Sequence, residues 1–101
     1  MIIGNKENFS ELIGEGVVLV DFNADWCGPC QMMKPVVEEF AKLHGDVKVV
    51  SVNVDDEEEL SEQYEVSTIP CLVMMKDGAE VAREIGVMPP KKLEKMLEKA
   101  A

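Results

Sequence analysis

The sequence predicts one α/β domain built on a mixed β-sheet, and three observations carry that expectation. Two β-rich runs, Val17–Phe22 and Val47–Val54, flank a long segment of helical periodicity, the crossover that parallel strands need. Two more β-rich runs, Cys71–Met75 and Glu80–Ile85, flank Lys76-Asp77-Gly78-Ala79, whose Asp-Gly pair signals an antiparallel hairpin. The third is length: 101 residues bury roughly 65% of the chain's surface on folding, enough for one core and not for two. Residues 1–101 are therefore read as a single domain.

Each element has a local cause. Asn5 caps a first helix in which Phe9, Leu12 and Ile13 fall on one face, and Gly14 and Gly16 end it. Val17–Phe22 is apolar without alternation up to Asp21, as in a strand covered on both faces. From Cys27 to Leu43 the residues Met33, Val36, Val37, Phe40 and Ala41 keep helical spacing, with Gly45 as the stop. Pro35 lies inside that helix and must remove one backbone bond. Asp55–Glu59 places five carboxylates where a third helix begins, with Leu60 and Tyr64 facing inward. The plain reading of that run is a solvated first turn favoured by the helix dipole. Pro89 and Pro90 open a last helix whose Leu93, Met96, Leu97 and Ala100 form one apolar stripe. The order is αβαβαββα, with Met1–Ile3 as a candidate extra strand.

Composition narrows the function. Ten Lys and Arg against twenty Asp and Glu leave a net charge of −10, which argues against nucleic-acid or anionic-membrane partners. Three cysteines are too few, and odd in number, for a disulfide scaffold. The first residues lack a basic segment followed by a long apolar run, and no stretch reaches membrane-span length. A cytoplasmic protein is expected.

The chemistry concentrates in Asp21-Phe22-Asn23-Ala24-Asp25-Trp26-Cys27-Gly28-Pro29-Cys30, where a buried strand passes into a helix. Two intervening residues let both sulfurs meet around the first helical turn, whose free N–H groups favour a thiolate on Cys27. Cys27, at the accessible end, is the expected nucleophile, and Cys30, one turn deeper, is expected to resolve the mixed disulfide. Trp26 is either core or, from its place on the turn, an exposed apolar contact. Asp21 is anomalous amid valines: either a strand-end cap or a carboxyl of raised pKa that shuttles the Cys30 proton. Pro70 begins a strand, where its missing N–H does least harm, and Thr68-Ile69-Pro70-Cys71 is a place where a cis bond fits, although an isolated X–Pro bond favours trans.

Trp26-Cys27-Gly28-Pro29-Cys30 is identical to the active-site motif of the thioredoxin family. The element order, Asp21, Pro35, Ile69-Pro70, Gly78 and Gly86 resemble that family over essentially the whole chain. The resemblance implies the thioredoxin fold, a central mixed sheet flanked by helices. It implies a protein-disulfide reductase that cycles a Cys27–Cys30 disulfide, needs no other cofactor or metal, and is re-reduced by a thioredoxin reductase. By position, Cys27 resembles the nucleophile, Cys30 the resolving cysteine, Asp21 the buried proton carrier and Pro70 the cis-proline facing the disulfide. Trp26, Gly28, Pro29, Ile69, Ile85, Gly86 and Val87 would form an apolar docking surface for disulfide-containing proteins, with the Ile69 backbone pairing to an extended substrate strand. A monomer is expected.

The sequence also departs from the family pattern. Asn23 stands where many members carry an aromatic residue, and Ser51 where many carry a lysine near the buried Asp. Without that cation Asp21 is expected to titrate higher than in members that keep it. Cys71 replaces a common threonine: either a small apolar strand residue or a third thiol open to oxidation. Three rivals stand beside the main reading. One is a zinc site of Cys27, Cys30, Cys71 and His44, against which the helix separates His44 from Cys30. Another is an interaction subunit without a redox cycle. The last is an oxidase or isomerase of the same fold, against which Pro29 argues.

Overall fold

A computed structural model describes residues 1–101. Its elements in chain order are β1 (Ile2–Ile3), α1 (Phe9–Ile13), β2 (Val17–Asn23), α2 (Gly28–Leu43), β3 (Lys48–Asn53), α3 (Glu58–Gln63), β4 (Cys71–Lys76), β5 (Ala79–Ile85) and α4 (Pro90–Glu98). The strands form one sheet in the order β1-β3-β2-β4-β5. The first three are parallel, and the β4–β5 hairpin joins antiparallel to β2. The mixed sheet agrees with the sequence reading.

Central position explains the composition of β2. Alternate side chains of a strand point to opposite faces, so a strand with cover on both sides has no polar face. Leu19 joins Val49, Leu72 and Met74 in a core capped by Met33, Val37 and Phe40 of α2 and by Leu93 and Met96 of α4. Val18, Val20 and Phe22 enter the opposite core with Val50, Val52, Cys71 and Val73, closed by Phe9, Ile13 and Leu60. Asp21, in phase with Leu19, extends the α2 face and is 3% exposed.

Two helix starts differ from expectation because side chains intercept the backbone first, and one helix ends early. Asn5 does not cap α1: its Oδ1 accepts the Glu7 and Asn8 N–H groups, making a turn that delays the helix to Phe9. Asn53 does the same for Asp55 and Asp56, so α3 starts at Glu58 and the first carboxylates of the acidic run lie in a turn. Ala100 is buried but follows the end of α4. The hairpin turn has Asp77 at φ 48° and Gly78 at φ 87°, the paired left-handed conformation that two-residue hairpins favour. Pro35 sits within α2, as read.

Candidate active site

The sheet places the reactive segment where β2 ends and α2 begins. Cys27 is the N-cap of α2, with extended backbone, and its Sγ accepts the Cys30 N–H at 3.1 Å. Pro29 occupies the first turn, where an absent N–H costs nothing. Cys27 and Cys30 are joined as a disulfide with Cα atoms 5.2 Å apart. In the reduced form the same N–H and the helix dipole stabilise a Cys27 thiolate.

One expectation needs correction. Cys27 was placed at the accessible end, yet it is 4% exposed and Cys30 is 5% exposed. Ala24 and Ile69 pack against the pair. What separates the two cysteines is their surroundings. Cys27 Sγ lies 4.0 Å from the Ile69 carbonyl oxygen, in the loop that leads into β4. Cys30 instead lines a polar cleft of about 150 Å³ that it shares with Asp21, Asn23, Ser51 and Lys34.

Asp21 dominates that cleft. Its Oδ1 is buried and has no hydrogen-bond partner. Burial pushes its carboxyl up to about 6, and the neighbouring Asn23 amide offsets part of the rise. No lysine occupies the adjacent β3 position, which is Ser51, paired in register with Asp21. The cleft is polar and wide enough for several waters, each needing about 10–15 Å³. A carboxyl raised to about 6 thus opens onto the same space as Cys30.

The remaining predicted residues converge from three segments. The Ile69–Pro70 peptide bond is cis, and Pro70 is buried beside the disulfide cluster. Gly86 donates its N–H to the Pro70 carbonyl at 2.8 Å, which seats the Ile85–Val87 segment against this loop. Gly86 has φ 96°, a conformation that disfavours any side chain there. Ile85 is 53% and Val87 50% exposed, and Gly28 and Pro29 are exposed at the helix start. Trp26 is 72% exposed, so it is not a core residue.

Sequence reasoning missed three participants. Asp55 accepts the Trp26 Nε1–H at 2.7 Å and fixes the indole, although its run was read only as a solvated turn. Met32 is 64% exposed one turn after Gly28 and Pro29, so it prolongs the apolar surface along α2. An apolar residue out of phase with the buried stripe was the available signal. Lys34 brings a cation to the Asp21 cleft, one turn beyond Cys30.

Two other sequence candidates lie elsewhere. Cys71 is fully buried in the α1–α3 core, and burial pushes its thiol up. His44 contacts Glu94 at 2.7 Å, joining the end of α2 to α4. The four residues of the zinc rival are thus dispersed: a disulfide, a core thiol and an imidazole hydrogen-bonded to Glu94.

Known proteins match this arrangement from end to end. The thioredoxin family model matches residues 1–99. The chain is 43% identical over 97 residues to a thioredoxin of Chlamydia pneumoniae, covering 96% of this chain and 95% of that one. It is likewise 43% identical over 100 residues to a thioredoxin of Bacillus subtilis, covering 98% and 96%. Its structure superposes on Fasciola hepatica thioredoxin with a TM-score of 0.91 at 35% identity, over 100% of both chains. With the Cys27–Cys30 disulfide at the head of α2, these likenesses establish that the chain belongs to the thioredoxin family of thiol–disulfide oxidoreductases.

Proposed function

We propose that the protein reduces disulfides of other proteins through Cys27 as nucleophile and Cys30 as resolving cysteine, with Asp21 as proton acceptor. The observation that carries this assignment is the division of surroundings: Cys27 faces the Ile69 carbonyl, while Cys30 shares a polar cleft with Asp21. An extended substrate segment would pair with the Ile69 backbone and rest on Trp26, Gly28, Pro29, Pro70, Ile85, Gly86 and Val87.

The steps balance as two exchanges. The Cys27 thiolate attacks one substrate sulfur, forming a mixed disulfide and expelling the second substrate sulfur as a thiolate. Cys30 then gives its proton through cleft water to Asp21 and attacks Cys27 Sγ. The Cys27–substrate bond breaks, the Cys27–Cys30 bond forms, and the substrate leaves with two added electrons. A thioredoxin reductase would return those electrons. A cytoplasmic setting suits a pair that must be kept reduced; no helix is long and apolar enough to cross a membrane. We take the acting unit to be a monomer with no cofactor beyond its own cysteine pair.

Reduction of insulin by dithiothreitol tests the assignment. The wild-type protein should accelerate it and Cys27→Ser should abolish the acceleration. A Cys27→Ser protein that keeps its activity would support a binding role without a redox cycle.

A further inference from the structure

Asn23 and Ser51 were singled out separately as departures from the family pattern, and the structure joins them. They lie 28 positions apart, yet Asn23 Nδ2 donates to Ser51 Oγ at 2.9 Å. The same Nδ2 donates to the Asp21 backbone carbonyl at 3.1 Å. The parallel register explains the meeting: Asp21 pairs with Ser51 and Asn23 with Asn53, so all four side chains belong to one face. Both Nδ2 protons are therefore engaged beside a carboxyl whose Oδ1 has none. An amide that turned onto that oxygen would favour the charged carboxylate and make it a poorer base.

We propose that Ser51 acts on the proton-accepting carboxyl of Asp21 through Asn23: its hydroxyl holds the amide beside the strand backbone and limits how closely it approaches the carboxylate. Asn23 and Ser51 are then positioning residues for proton transfer from Cys30, and the two departures form one device. This rests on the assignment of Asp21 given above. The groups around Asp21 are Lys34 and Cys30 from α2, Asp25 from the turn before it, Leu72 from β4 on the same face and Cys71 from β4 on the other. None of them donates a hydrogen bond to Oδ1.

Opposite shifts give the test. The Asp21 midpoint is read from its carboxyl carbon by NMR titration, alongside the pH dependence of mixed-disulfide resolution. Asn23→Ala removes the amide that partly offsets the effect of burial, so both readouts should move up by about half a pH unit. Ser51→Ala frees the amide to approach the carboxyl more closely, so both should move down by a similar amount. Ser51→Thr, which keeps the hydroxyl, should hold the wild-type midpoint. The double variant should follow Asn23→Ala, because Ser51 acts only through that side chain. A Ser51→Ala shift that is absent or upward, while Asp21→Asn still alters the profile, overturns this inference alone. An unchanged profile in Asp21→Asn overturns the proton-accepting role and the inference together.

Discussion

Asp21 and Cys71 are near neighbours across the β2–β4 pair, Asp21 opposite Leu72 and Phe22 opposite Cys71. They face opposite sides of the sheet. Asp21 is 3% exposed and Cys71 is 0% exposed, and burial pushes both groups up. Asp21 nevertheless opens onto a polar cleft with Cys30, whereas Cys71 is enclosed by Phe22, Val73 and the α1–α3 side chains. The difference teaches that burial alone does not decide what a titratable group can do. A route to a neighbouring sulfur and to water sets Asp21 apart, and only the α2 face supplies one.

The comparison breaks most directly at Cys30. Cys30→Ser leaves Cys27 as nucleophile and removes the resolving thiol, so turnover should fall by more than about 100-fold. A mixed disulfide should accumulate, visible by mass spectrometry as substrate bound to Cys27. Failure to trap it would reverse the order assigned to the two cysteines.

Asp21→Asn sharpens the contrast in two readouts. Resolution should slow by about 10-fold or more near neutral pH, the scale of a lost proton acceptor, and its pH dependence should flatten. Stability should move the other way. The folded carboxyl sits at about 6 against an ordinary 3.8, so the native state binds the proton more tightly than the unfolded state. Asp21 therefore costs no stability below about pH 4, and its penalty grows as pH rises to about 6, reaching about 3 kcal/mol. Denaturant unfolding at pH 8 should show Asp21→Asn more stable by up to that amount, with the gain vanishing near pH 4. A variant no more stable at pH 8 would mean that the carboxyl is already well solvated.

Cys71 should give the smallest effects. With its thiol buried and pushed up, native reduced protein treated with iodoacetamide should be modified at Cys27 and spared at Cys71 until denatured. Cys71→Ala should change turnover by less than about twofold and cost about 1 kcal/mol of stability for the small cavity. Rapid alkylation of native Cys71 would restore the third-thiol reading that its core position argues against.

Much of the fold was legible along the chain because its signals are local. The apolar run of β2 reflects cover on both faces, and Asp77-Gly78 places its hairpin through backbone conformation alone. Pro90 marks the start of α4 for the same reason. The ends of α1 and α3 were less legible, since Asn5 and Asn53 take their turns before the helices can start. The cysteine pair and Asp21 announced themselves as anomalies of spacing and polarity. Asp55 did not, because a carboxylate in an acidic run carries no sign of the indole it will hold.

The sequence by itself determined the chemistry available: two sulfurs one helical turn apart, a strand carboxyl leading into them, and a proline at the start of a facing strand. Those depend on residues within a few positions of one another, where backbone geometry dictates the outcome. Only the tertiary structure decided how that chemistry is divided. Strand register joined Ser51 to Asn23, loop packing covered Cys27, and the turn after β3 brought Asp55 to Trp26 across 29 positions. Hydrogen bonding and desolvation act through space, so whether a buried group meets water, a sulfur or a wall of side chains is settled only when distant segments pack.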